Sequence, residues 1–190
     1  MPWLVLAANL GLTLLLWRAV HQQTVETARL EFTYEFEVFI NSLTGRIKAN
    51  EQILRSVVGL FEASDEVSRA EFRAFVTELH LDERYPGIQG IGFSQVIKPD
   101  ELKAHIKSIR AEGFPEYAVR PPGERDLYSS IVYLEPFDWR NQRAFGFDMW
   151  SEQMRRQAMT RARDSGKPAL SGKVTLTQET EQGVQAGTLL

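Results

Sequence analysis

The stretch SRAEFRAFVTELHLDERYPGIQGIGFSQVI, residues 68–97, decides the fold, because it passes from a capped helix through a turn into a strand. Ser68-Arg69-Ala70-Glu71 is a capping box, in which the serine and the glutamate each satisfy a backbone N–H that the first helical turn leaves unpaired. The helix it opens runs to about Leu79. Tyr85-Pro86-Gly87 is a turn, with proline fixing φ and glycine free to follow it. IQGIGFSQVI, residues 88–97, is apolar and glycine-punctuated and is expected to be a strand. The run Gly87 to Gly92 superficially resembles a nucleotide loop. Its spacing is wrong for one and it lies inside the strand, so it is read as close packing or a bend.

Working toward the C-terminus, Pro99 and Asp100 start a helix that ends near Gly113. Tyr117 to Arg120 is expected as a short strand, Pro121-Pro122-Gly123 as a turn, and Leu127 to Leu134 as a strand rich in β-branched and aromatic residues. Residues 137–148 are irregular. Ser151 with Glu152 begins a helix to about Asp164, stopped by Gly166 and Pro168. Leu170 to Thr177 and Val184 onward are expected to pair as strands. Helices interspersed with neighbouring antiparallel strands define an α+β domain with one sheet. The terminal VQAGTLL reads as the start of an apolar strand, so the domain is expected to continue past Leu190.

Working toward the N-terminus, Thr24 to Ala63 contains no proline, and its only glycines are Gly45 and Gly59. Apolar residues recur at Val25, Ala28, Phe32, Phe36, Phe39, Leu43, Ile47, Leu54, Val57 and Phe61, with Asn50 as the polar interruption. A stripe of this length suits a partner helix, so residues 21–63 are expected to be a stalk that dimerises. A long helix packed on its own domain is the alternative. Residues 1–17, MPWLVLAANLGLTLLLW, carry no charged side chain. Their leucines favour membrane insertion by about 2–4 kcal/mol before Asn9 subtracts some, and Trp3 and Trp17 sit where interfacial aromatics belong. A basic start and a small-residue cleavage site, the marks of a signal peptide, are not evident. Residues 1–20 are therefore read as a transmembrane helix, at the short end of what spans a bilayer. No Lys or Arg precedes it, so charge does not orient it.

Composition excludes several functions. The chain has 190 residues, a net charge of −3, and Lys and Arg scattered among Asp and Glu, which argues against a nucleic-acid partner. With no cysteine there is no disulfide, thiol nucleophile or thiolate metal site. His21, His80 and His105 are far apart, so no metal or other cofactor is expected. No catalytic signature is present. A hydrolase built on Asp148 and Glu152 as a carboxylate pair is the remote enzymatic alternative.

One polar segment stands out. Between Asp138 and Asp164 lie Arg140, Asn141, Arg143, Asp148, Glu152, Arg155, Arg156, Arg161 and Arg163. Those after Ser151 are expected to form i,i+4 pairs on a solvated helix face. Asp148, between Phe147 and Met149, needs a donor, because a bare buried charge is costly. The following helix N-terminus, a nearby arginine, or the N–H of a ligand could each supply it.

Three stretches, YPGIQGIGFSQVI (85–97), YLEPFDWRNQRAFGFDMWSE (133–152) and RARDSGKPALSGKVTLTQET (161–180), together resemble the CHASE domain. This is the extracellular sensor module of histidine kinases, nucleotide cyclases and cyclic-di-GMP enzymes. The resemblance covers roughly residues 30–190. It implies a stalk helix followed by two PAS-like α+β subdomains, here residues 64–190 with the second incomplete, between two transmembrane helices in a homodimer. It also implies an N-terminus inside the cell membrane and a sensor domain outside. Plant members bind cytokinins. Their purine-binding aspartate corresponds to Asp148, a backbone contact falls at Leu170, and a pocket threonine falls at Thr180, with Phe147 and Met149 flanking the aspartate. Phe145, Phe147 and Trp150 depart from the plant pattern. The expected ligand is thus a small polar, purine-like molecule rather than cytokinin itself. The implied output is a diguanylate cyclase or phosphodiesterase, or a histidine kinase. A dimerisation module that senses a partner protein, without any small ligand, is the competing reading.

Overall fold

Helix α1, Pro2–Glu62, has its one early proline in the first turn, where the missing N–H costs nothing, and no other proline to break it. A computed structural model of the chain describes residues 2–176 and 186–190. The chain separates into two units, Met1–Ala49 and Asn50–Leu190.

In the first unit every described side chain up to Lys48 is exposed. Leu4 to Trp17, and then Val25, Phe32, Phe36, Phe39, Leu43 and Ile47, present their apolar surface outward. The N-terminal part contains a window long and apolar enough to cross a membrane, none of it buried within the chain.

The second unit opens with the remaining turns of α1, where Ile53 and Val57 are buried. Helix α2, Arg69–Glu78, carries the expected capping box: Ser68 Oγ accepts from Glu71 N, and Glu71 accepts from Ser68 N at 2.8 Å. Its Phe72 and Val76 join Ile53, Val57, Val67, Leu81 and Ile91 in one core. The loop expected after Leu79 contains a further short helix, α3, Leu81–Arg84, entered through His80 in a left-handed conformation (φ 49°). That single reversal lets Leu81 turn back into the core instead of extending α2.

Strand β1, Ile91–Ile97, pairs antiparallel with β2, Tyr128–Glu135, from Ile91↔Glu135 to Ile97↔Tyr128. The register shifts between Phe93 and Ser94, which face Tyr133 and Ile131, so Val132 is the extra residue of a bulge. The bulge leaves the Val132 carbonyl off the regular ladder, where Arg69 Nη1 donates to it. Helix α4, Leu102–Ala111, packs Ile109 with Tyr117 and Val132 in a second core. Arg69 joins the two cores. Its guanidinium lies 4.6 Å from the Phe114 ring centroid, 5.0 Å from that of Tyr133 and 5.3 Å from that of Phe145, while Nε donates to Glu112 at 2.8 Å.

Tyr117 to Arg120 is not a strand. Only Arg120 makes a bridge, to Phe147, because Pro121 and Pro122 follow and have no N–H to continue a ladder. Helix α5, Gln153–Ser165, is capped by Glu152, which accepts from Met154 N and Arg155 N, each at 3.0 Å, and it ends at Gly166 with φ 62°. Among the described residues the C-terminal strands do pair antiparallel, as β3, Val174–Thr175, and β4, Ala186–Gly187; Thr177, Val184 and Gln185 of the expected strands lie outside the described residues. Residues 170–173 fall outside the ladder because other bonds hold them: Leu170 O accepts from Arg161 and Ser171 N donates to Leu189 O. Among the described residues there are therefore two separate two-stranded sheets, not the single sheet expected. The α+β class stands, with a long N-terminal helix and small antiparallel sheets.

Candidate functional site

Residues 144–151 form the centre of the polar segment. Gly146 N donates to Ile131 O at 2.9 Å and Ile131 N to Phe147 O at 3.0 Å, which lays this segment along the free edge of β2. Arg120 N donates to Gly146 O, and Asp148 N to Arg120 O, on the other side. The chain is thus clamped between two backbones. Gly146, at φ 83°, is where the clamp is tightest: a Cβ there would collide with the Ala118 carbonyl.

Asp148 ends this clamp with none of its surface accessible. Its Oδ1 accepts from Ser129 N at 2.8 Å and from Trp150 N at 3.0 Å, the latter capping the turn Met149–Ser151. Arg125 Nη1 stands 3.4 Å from Oδ2, which has no hydrogen bond among the described residues. Of the three partners open to it from sequence, the following helical turn donates a hydrogen bond and a nearby arginine stands within ion-pair distance. Phe147 lies 4.6 Å from the guanidinium of Arg155. Leu170 is partly exposed, its carbonyl engaged by Arg161 Nη2 at 2.8 Å. Thr180 lies outside the described residues. Phe147, Asp148 and Met149 are consecutive, and of the three Met149 lines the groove described next.

The groove runs beside β1 as two adjoining concavities of about 640 and 780 Å³. Both include Leu54, Phe93, Ser94, Met149 and Arg155. The glycine run, Gly87 to Gly92, forms one wall of the first. Close packing is the role of its Gly90 and Gly92: a Cβ on Gly90 would sit 2.9 Å from Asn141 Nδ2 and 3.0 Å from Glu135 O, and one on Gly92 3.0 Å from Tyr133 O. Asn50, the polar break in the stripe, is also on this wall.

Arg155 departs from the expected solvated face. It is only 4% exposed, because it shares the inward side of α5 with Ala158. Nη2 donates to Thr175 O at 2.7 Å, Nη1 approaches Met149 Sδ at 3.6 Å, and Glu152 stands 3.7 Å from Nε. Burial pushes its pKa below the ordinary arginine value, partly offset by Glu152. Among the described residues the ion pairs of α5 are Glu152–Arg155 and Arg163–Asp164, neither at the expected i,i+4 spacing. Spacing could have exposed this residue: Arg155, Ala158, Met159 and Ala162 recur at three and four, an otherwise apolar face.

A second buried polar chain backs β2. His105 Nε2 and Tyr117 Oη are 2.9 Å apart, and Tyr117 Oη and Ser130 Oγ 2.7 Å. Burial lowers the His105 pKa, with Glu112 opposing, and raises that of Tyr117.

A sheet-bearing α+β unit with a concave, sparsely charged groove has the form of a binding domain. The family model of the CHASE domain matches residues 65–190, and the chain belongs to that family, the extracellular sensor domains of signalling proteins. No curated protein is similar enough to this chain to be matched to it.

Proposed function

We propose that the chain is the ligand-sensing part of a membrane-bound bacterial receptor. In this reading residues 1–20 cross the inner membrane, the domain from residue 64 is periplasmic, and residues 21–63 form a dimeric stalk. The signal passes to a cytoplasmic diguanylate cyclase, phosphodiesterase or histidine kinase module. Membership of a sensor family carries the proposal, together with a groove whose volume falls in the range of small-molecule sites. A bound molecule would favour one of two packings of the dimer, with couplings of this kind typically worth about 1–3 kcal/mol.

Met149, Phe147, Asp148, Leu170 and Thr180 remain the proposed contact set. Met149 would touch the ligand directly. Asp148 would do so only if the Met149–Ser151 turn opened, since its carboxylate is enclosed. The test is thermal shift of the detergent-solubilised chain against purines and a panel of small polar metabolites. Asp148→Asn, which keeps an acceptor for Ser129 N and Trp150 N, is the matched variant. A concentration-dependent rise in Tm supports a small-molecule sensor, by mass action. If that rise is weakened in Asp148→Asn, the aspartate stays in the contact set, and an unchanged response removes it. A folded dimer that answers to nothing in the panel supports partner-protein sensing instead.

A further inference from the structure

We propose that the first concavity of the groove is a site for a small carboxylate that also carries a hydroxyl or amine donor. This rests on the small-molecule reading above and names the ligand class. Among the described residues lining that concavity the charged side chains are Arg155 and Lys173, and none is acidic. A cavity lined by one sign of charge concentrates the opposite sign.

Arg155 is the anchor because its buried charge is incompletely answered. Nε has no hydrogen-bond partner among the described residues, and Nη1 meets only a thioether sulfur. The carboxylate at 3.7 Å, Glu152, already accepts two backbone N–H bonds at the start of α5. A guanidinium held in this way costs stability unless something completes its shell, and a carboxylate does so with two charge-assisted hydrogen bonds. A second unmet atom faces the opposite need: Gln89 Oε1 is buried without a donor and belongs to the same lining. A ligand with an anionic end and a donor answers both needs once the two side chains, whose unmet atoms are covered, turn toward the space. Ser94 and Met149 line the space with them, and Lys173 is exposed, where it can draw an anion in without a desolvation cost.

The experiment compares malate, which has carboxylates and a hydroxyl, with its uncharged diamide, at constant ionic strength. The whole chain is used in detergent, native and as Arg155→Met, Lys173→Ala and Gln89→Ala, with binding read by thermal shift and calorimetry. Malate should bind and the diamide should not. Lys173→Ala should weaken malate binding several-fold, and Arg155→Met by at least about tenfold, the loss of one charge-assisted pair. If Arg155→Met does not fold, the exposed Lys173→Ala and the uncharged Gln89→Ala carry the comparison. Equal binding of malate and diamide, or folded variants that all bind like the native chain, overturns the site. If purines or other neutral metabolites stabilise the chain while malate does not, the carboxylate proposal falls and the sensor reading stands. If nothing binds, both fall.

Discussion

His105 is 8% exposed, and its Nε2 meets the Tyr117 hydroxyl, which in turn meets Ser130 Oγ. Protonating the ring in that position means charging a site that burial disfavours. Glu112, on the same side of α4, only partly compensates. The folded pKa is therefore below that of the unfolded chain, near 6.5. Between the two values the unfolded state binds more protons, so stability falls as pH drops from about 6.5 and levels off below the folded pKa. His105→Gln, which can still reach Tyr117 but cannot titrate, should lose this component. Urea unfolding at pH 7.5 and pH 5.5 measures it: the native chain should lose more stability on acidification than the variant. Equal losses would show that His105 does not drive the acid sensitivity.

At the scale of elements, strain and clamping concentrate at Gly146. A side chain there faces a left-handed backbone, worth roughly 1–2 kcal/mol by itself, and a collision with the Ala118 carbonyl. Gly146→Ala should therefore lower the urea midpoint strongly, whereas Gly87→Ala, with nothing within 4 Å of its Cβ, should cost only the conformational penalty of its positive φ. Comparable midpoints for the two would mean that the clamp along β2 yields easily. The contrast also marks what sequence could reveal. Local chemistry announces local structure, so the Ser68 capping box, the Gly166 stop and strands β1 and β2 were legible. Tyr117–Arg120 had strand composition, but its fate depended on prolines and a distant backbone edge. Asp148 was recognisable as needing a donor. One of its donors, Trp150 N, is the following helical turn that sequence offered, but Ser129 N and the Arg125 charge come from about twenty positions away, and no spacing rule names them. Arg155 misled because a charged helix usually faces water. Only Ala158, Met159 and Ala162 marked that face as inward, and the groove beside them exists only through tertiary packing.

At the scale of the whole molecule, residues 2–47 of the first unit present an exposed apolar surface along the helix. An isolated helix gains little stability from its own hydrogen bonds, so such a surface needs a bilayer, another helix, or each along part of its length. The first seventeen residues suit lipid, having no charged side chain. From Val25 to Ile47 charged residues alternate with an apolar stripe spaced 3, 4, 4, 3, 4, 4, which repeats every eleven residues. That period, near 3.67 residues per turn, suits helices packed almost straight or with a slight right-handed coil, unlike the heptad of a left-handed coiled coil. The stripe predicts which positions approach a second copy. Because the chain has no cysteine, single substitutions report cleanly. In membranes or detergent, Phe36→Cys and Leu43→Cys should oxidise readily to disulfide-linked dimers. Asn41→Cys, roughly opposite on the helix, should remain largely monomeric under the same mild oxidation. Equal cross-linking at all three would indicate random collision, and preferential linking at Asn41→Cys would place the partner on the polar face. The predicted order requires two copies of this helix to meet along the stripe, the arrangement in which a change at the sensor could be passed between subunits.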